Sequence, residues 1–308
     1  MMVRSKLLLL LILLFIFSSA AFTEVALPVA QEGAPLYSNL GDEEPLLAVC
    51  EAMKMAGMNE AAVDAVCDWI RDYNQIQKTN PVYEIVAGFY PMTDGYVDYG
   101  DADTYVEFNW QRWKVAQLNY YDVLCRSTAF YLLRDQMSIE ERIPAEKWER
   151  NGFMETDFDA FYGVEEDDYV IPNPAVSSLT EDDIAAYATL FAPVPDNGEN
   201  TEQAIADSMN RAFGESGVHF PQGRAKMIMV CYPADRQLAV RHAAILIEMD
   251  SGYLLFEKYG PDYPYQAALF ATINEISTYL KDSIAAEYAR YNLAAPDAVA
   301  VLSNDQLI

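Results

Sequence analysis

The chain has 308 residues, 52% of them hydrophobic and 13% aromatic, enough to build a sizeable core. Its 47 acidic residues against 20 basic ones give a formal charge of −27, which argues against nucleic acid as a partner. The acidity is spread, with runs at 165–168 and 181–183, and reads as a solvated surface; no EF-hand spacing marks a calcium loop.

The N-terminus reads as a secretory signal over 1–21. Arg4 and Lys6 form a basic region, Leu7 to Phe17 is an unbroken apolar run, and Ser18-Ser19-Ala20-Ala21 supplies small residues for cleavage. The run is shorter than the roughly 20 residues a membrane span needs, and no other stretch is long enough. An uncleaved anchor is the alternative. The first cysteine is Cys50, so attachment of a lipid at a cysteine after the leader is not indicated.

Residues 22–44 show no periodicity and read as a linker ending in Tyr37-Ser38-Asn39-Leu40. Residues 45–57 and 59–77 read as a helical hairpin, with Gly57 as a stop and Asn59 as a start. Leu46, Cys50 and Met53 share one helical face, and Val63, Cys67 and Ile70 share another. An antiparallel hairpin brings Cys50 and Cys67 level, either as a disulfide or as two reduced core cysteines. Residues 80–108 carry Pro, Gly and many Tyr and read as loop with short strands. A core helix is expected over 122–136, with Asp122 as N-cap and Cys125, Ala129 and Leu132 on one face. Residues 138–175 are acidic and aromatic, with a short helix near 144–150.

Thr180 with Asp183 makes a capping box for a helix to Leu190, and 201–213 reads as another helix closed by Gly214. Three apolar runs of strand length follow, Lys226–Tyr232, Arg241–Met249 and Tyr253–Tyr259, with Asp250-Ser251-Gly252 as a hairpin signal. A long amphipathic helix is expected over 266–290 and a tail over 293–308. Helices first and an antiparallel sheet late make the fold class α+β, a single domain over 45–292.

Cys125 stands where a loop becomes a helix, where backbone N–H groups and the helix dipole favour a thiolate. The bland alternative is a small buried hydrophobe. With Cys50 and Cys67 paired, Cys125 and Cys231 either bridge each other or stay free. Of the two histidines, His219 and His242, the second opens a strand, and a two-residue turn pairing Met249 with Gly252 puts Glu257 diagonally across from it. A one-residue change of register would present Lys258 instead. A cysteine nucleophile needs a base, and the base needs an orienting group. The triplet Cys125, His242, Glu257 therefore reads as a thiol hydrolase or acyltransferase acting on peptide or cell-wall amides. Asn119 is a candidate oxyanion donor, with Gln117 and Gln111 equally available. The rival class is a non-catalytic envelope-binding module whose contact surface is the tyrosine-rich 83–131 region. A metal site from His219, His242, Cys125 and Cys231 is a third reading, without CxxC or HxxxH spacing. No cofactor motif is present.

The order Cys at a helix start, His-Ala opening a strand and an acid on the next resembles papain-like and transglutaminase-like proteins. This similarity covers about 122–133 and 241–259 and implies a central helix packed on a late antiparallel sheet. A closer resemblance spans roughly 37–281. Tyr37-Ser38-Asn39-Leu40, Asn119…Cys125-Arg126-Ser127-Thr128-Ala129-Phe130, Leu179-Thr180-Glu181-Asp182-Asp183 and Gly252-Tyr253-Leu254-Leu255-Phe256-Glu257-Lys258…Pro264-Tyr265-Gln266 resemble an uncharacterised family of bacterial secreted proteins and lipoproteins, domain-of-unknown-function family 4300. The resemblance implies a bacterial, exported protein and leaves its chemistry to be argued from residues. The chain departs from that pattern at Leu124, where an Asn is usual, and in lacking a lipid-accepting cysteine.

Overall fold

The computed structural model describes residues 27–79, 85–99, 120–148, 153–163, 171–196, 198, 201–234, 236–260 and 263–308. Strand β1 (Leu36–Ser38) leads into the hairpin α1 (Glu43–Met55) and α2 (Glu60–Thr79). Asn59 Oδ1 accepts the N–H groups of Ala61 and Ala62 and caps α2, and Gly57 takes a φ of +89° that closes the turn. Cys50 and Cys67 are joined by a disulfide, Cα to Cα 6.7 Å.

The next elements are β2 (Tyr90–Pro91), α3 (Cys125–Leu133), β3 (Ser138–Ile139), α4 (Glu155–Tyr162) and α5 (Glu181–Leu190). Thr180 and Asp183 cap α5 reciprocally, Asp183 N–H to Thr180 Oγ1 at 3.1 Å and Thr180 N–H to Asp183 Oδ2 at 2.8 Å. Then come β4 (Val194–Pro195), α6 (Glu202–Glu215), β5 (Val218–His219), β6 (Ala225–Ala234), β7 (Gln237–Met249), β8 (Gly252–Lys258), β9 (Tyr265–Phe270), α7 (Ile273–Arg290), β10 (Ala300–Ser303) and β11 (Gln306–Leu307).

Among the described residues the fold is α+β, with seven α-helices and one large sheet. The sheet runs β11-β10-β6-β7-β8-β9-β1-β2, with β4 also on β7 and every pairing antiparallel. Its middle strands are covered on both faces, so they read as continuous apolar runs rather than alternating ones. Ala243, Ile245 and Ile247 of β7 face the large core shared with the α1–α2 hairpin, α3, α5 and α6. Ala244 and Leu246 face a second core closed by Ile276, Tyr279, Leu280 and Ile284 of α7.

Five expectations are corrected. The 22–44 segment is no plain linker, because β1 lies within it and pairs with β9. The helix expected over 266–290 begins at Ile273, since residues 265–270 form β9, buried on both faces; a short continuous apolar run does not declare itself as helix or strand by period. The 293–308 tail contains β10, which pairs with β6 in the core of the sheet. The 122–136 helix starts at Cys125 and ends in a 3-10 turn over Arg134–Gln136. The short helix near 144–150 is a 3-10 turn at Ala145–Lys147, and α4 went unforeseen.

Candidate active site

Asp122 does not cap α3. Its Oδ1 accepts the N–H of Val123 at 2.9 Å, and its Oδ2 lies 2.6 Å from Lys258 Nζ. The N-cap position is Leu124, whose N–H donates to Ser127 Oγ at 2.8 Å and whose carbonyl accepts the N–H of Thr128 at 2.9 Å. Cys125 is thus the first residue of the helix. A helix start leaves its first N–H groups without intrahelical acceptors and carries the positive end of the dipole.

The sheet opens where Cys125 sits. Pairs between β7 and β8 run from Met249↔Gly252 to Ile245↔Phe256 and stop there. Beyond that point β7 stays paired to β6 as far as Gln237, and β8 stays paired to β9 as far as Lys258. The N-terminus of α3 meets this fork. The N–H of Ala243 is turned to the Cys125 sulfur as a hydrogen-bond donor. A β-bulge sits just outside, since Val230 pairs with His242 and Cys231 with Val240, leaving Arg241 as the extra residue. Such a bulge re-aims the side chains beside it.

The register of the β7–β8 hairpin is the one the turn chemistry predicts, and it puts His242 and Glu257 on the same face. His242 Nε2 lies 2.6 Å from Glu257 Oε2. His242 also lies beside Cys125 on the wall of one cavity, close enough for the two to perturb each other's titration. The second oxygen of Glu257 accepts from Tyr279 Oη at 2.6 Å and from Gln266 Nε2 at 3.0 Å. Behind them, Tyr99 Oη donates to Gln266 Oε1 and accepts from Asn39 Nδ2 at 2.7 Å. A carboxylate held by two donors and a histidine, at 2% exposure, has its orientation fixed.

The electrostatics follow from these contacts. Burial pushes the Cys125 thiol up, but the His242 imidazolium, its hydrogen bond, Arg126 and the Ala243 N–H outweigh it and hold the thiol below its usual value. Burial pushes His242 down, but the Cys125 sulfur and the Glu257 carboxylate overcome it and raise the imidazole to about 10. The two groups therefore shift each other toward the thiolate and the imidazolium. Cys231 is equally buried with no such neighbours, and burial alone drives its thiol far up. Cys125 and Cys231 are both free thiols, so no bridge joins them.

The neighbouring residues hold this arrangement in place. Arg126 is buried and forms an ion pair with Asp157 of α4, whose other oxygen accepts from Tyr187 Oη. It also donates to the carbonyl of Val240 at 3.3 Å, and its guanidinium lies 4.3 Å from the Phe153 ring centre. Lys258, which a shifted register would have set beside His242, points to the opposite face. There it meets Asp122, the carbonyl of Tyr263 at 2.6 Å and the ring of Tyr73 at 3.8 Å.

Cys125, His242 and Glu257 line a cavity of about 220 Å³ between the sheet and α7. Asn119, Gln117 and Gln111 lie outside the described residues, as do 83–84 and 100–119 of the tyrosine-rich 83–131 segment. His219 is not part of the site: it is exposed and 3.1 Å from Glu140. Among the described residues no group of three His, Cys, Asp or Glu is arranged to hold a metal. The sequence reading missed Gln266, Tyr279, Asp157 and the role of Lys258. Each acts through a partner far away in sequence; the only local sign was a charged pair, Glu257-Lys258, ending an otherwise apolar strand.

An α+β protein with a buried Cys–His–Glu chain at a helix start is the class that fold and site define. The chain belongs to the family described as "Domain of unknown function (DUF4300)", whose profile matches residues 36–308. No curated protein and no solved structure matches it. Among the described residues no helix is long and apolar enough to cross a membrane.

Proposed function

We propose that the chain is an exported thiol hydrolase or acyltransferase in which Cys125 is the nucleophile, His242 the general base and then acid, and Glu257 the group that orients the imidazole. The observation that carries this reading is that Cys125, His242 and Glu257 line one cavity, with His242 Nε2 2.6 Å from Glu257 Oε2. In the acylation step the Cys125 sulfur adds to an amide carbonyl carbon and the oxygen takes the negative charge. The N–H groups at the start of α3 are suited to receive that oxyanion. His242 passes its proton to the leaving amine as the C–N bond breaks. It then takes a proton from the water or amine that attacks the thioester, and the thiolate leaves.

The architecture this implies is papain-like or transglutaminase-like, with the nucleophile on the central helix and the base on the sheet. The substrate class we infer is a peptide or cell-wall amide met outside the cell. Export is supported by the leader-like 1–21 segment and by the Cys50–Cys67 disulfide, a bond that persists in oxidising compartments.

The test is iodoacetamide labelling at neutral pH, read at Cys125 by peptide mass spectrometry. Fast labelling in the native protein and slow labelling in His242→Ala are expected. Equally slow labelling in both would remove the enzyme reading and leave the binding-module reading.

A further inference from the structure

Tyr37-Ser38-Asn39-Leu40 lies far along the chain from Cys125 and His242, yet a line of buried hydrogen bonds leads from it to the candidate acid. Leu40 takes a φ of +58°, which few residues other than glycine adopt. Asn74 of α2 holds that turn, its Nδ2 donating to the carbonyls of Asn39 at 3.1 Å and Leu40 at 3.0 Å, and Ser38 Oγ accepts the N–H of Leu40 at 2.9 Å. The turn directs the fully buried Asn39 side chain to Tyr99. Asn39 Oδ1 accepts the N–H of Val86 at 3.2 Å, so Nδ2 is the end that meets Tyr99 Oη and the carbonyl of Tyr265.

From there each hydrogen bond dictates the direction of the next. An amide nitrogen only donates, so Tyr99 Oη accepts from Asn39 and gives its own proton to Gln266 Oε1. Gln266 then presents Nε2 to Tyr279 Oη at 2.6 Å and to Glu257 Oε1 at 3.0 Å. Tyr279 Oη, already accepting, gives its proton to Glu257 Oε1 at 2.6 Å. We propose that Asn39 and Tyr99 are positioning residues, which set the direction of this chain so that it meets Glu257 with donors only and holds the carboxylate with its other oxygen on His242. The proposal rests on the thiol reading of the site, in which Glu257 serves to orient the imidazole. A carboxylate only accepts, so His242 donates to it through Nε2, and Nδ1 is left to exchange a proton with Cys125. Without the Tyr99 hydroxyl the Gln266 amide is free to turn over. Its oxygen would then face the Glu257 carboxylate and push it away from His242.

The test reads the imidazole signals by NMR in histidine-labelled protein, where only His219 and His242 report. Tyr99→Phe and Asn39→Ala should each displace the His242 signals and leave those of the exposed His219 in place. The double variant should match Tyr99→Phe alone, because Asn39 acts through the Tyr99 hydroxyl. In a Glu257→Ala background neither change should move His242. Displacements that add, or that persist without Glu257, would assign both residues to packing and overturn the proposal. Unmoved His242 signals in folded Tyr99→Phe would overturn it as well. That variant keeps its ring against Tyr259, with centres 4.9 Å apart, so it decides the matter even where Asn39→Ala does not fold. Iodoacetamide labelling of Cys125 is read separately. Slow labelling in the parent and in His242→Ala alike would remove the nucleophile while the His242 signals still report on the hydrogen-bond chain.

Discussion

Glu257 and Lys258 are neighbours at the end of β8, and they hold opposite halves of the site. Glu257 points to one face of the sheet and meets His242 at 2.6 Å; Lys258 points to the other and meets Asp122, three residues before Cys125, at 2.6 Å. The alternation of a strand thus ties His242 and the loop before Cys125 to one dipeptide. Lys258 is fully buried and Asp122 largely so, so the lysine charge has no water to fall back on. Lys258→Met should destabilise the protein by about 3–5 kcal/mol, the penalty for stranding one member of a buried pair. The double change Lys258→Met with Asp122→Asn should recover part of that loss. Urea unfolding midpoints of the three proteins give the answer, and a single variant as stable as the parent would show that the pair contributes nothing.

The Cys125–His242 pair sets a pH window. The thiol sits below its ordinary value and the imidazole is raised to about 10, so the window of the thiolate–imidazolium form is widened at both edges, and the form is lost to sulfur protonation as pH falls. In His242→Ala the opposing influence of burial is left facing only Arg126 and the Ala243 N–H. The thiol should then titrate at higher pH, in the direction of Cys231. Below its titration point, one unit of upward shift lowers the thiolate fraction tenfold, so alkylation at neutral pH should fall by about tenfold or more. Following ultraviolet thiolate absorbance against pH in both proteins checks this; superimposable curves would refute it.

Glu257 contributes to the upper edge of that window. Its carboxylate is among the influences that raise His242, through a hydrogen bond and through charge. Glu257→Gln keeps the shape and the contacts to Gln266 and Tyr279 but removes the charge. The imidazolium should then lose its proton at lower pH than about 10, a shift visible in the ring-carbon resonances of His242 by NMR. Tyr279→Phe removes one of the two donors to Glu257 Oε1 and should cost about 1.5–3 kcal/mol of unfolding free energy, since the acceptor is a charged, buried carboxylate.

What was legible in the sequence was local. The Asp250-Ser251-Gly252 turn specifies one register, and from it follow the Met249↔Gly252 pair and the meeting of His242 with Glu257. The Gly57 and Asn59 signals likewise specify the hairpin that brings Cys50 to Cys67. The supports of the site were not legible, because they join strands and helices remote along the chain. Tyr279 comes from α7, Gln266 from a strand whose apolar run was absorbed into the helix after it, and Asp157 from a helix in a stretch with no clear period. The fork between β7 and β8 was equally hidden: alternation reads the face of a residue, but not where two strands part. Asp122 misled because an acid three residues before Cys125 suits a cap, and only the burial of Lys258 diverts it.

The Cys50–Cys67 bond should matter to stability and not to the site. It closes a loop of sequence separation 17, for which the chain-entropy argument gives about 3 kcal/mol. The α1–α2 hairpin also packs through Val49, Met53, Val63, Val66 and Ile70, all fully buried, and Trp69 lies against Tyr131 of α3 with ring centres 4.6 Å apart. Those contacts hold α2 on α3 without the sulfur bridge. The double variant Cys50→Ser, Cys67→Ser should therefore unfold at lower urea by an amount equivalent to about 3 kcal/mol, yet label at Cys125 with iodoacetamide at the parental rate in buffer. A large loss of labelling rate in the folded variant would mean that the bridge, rather than apolar packing, sets the position of α3.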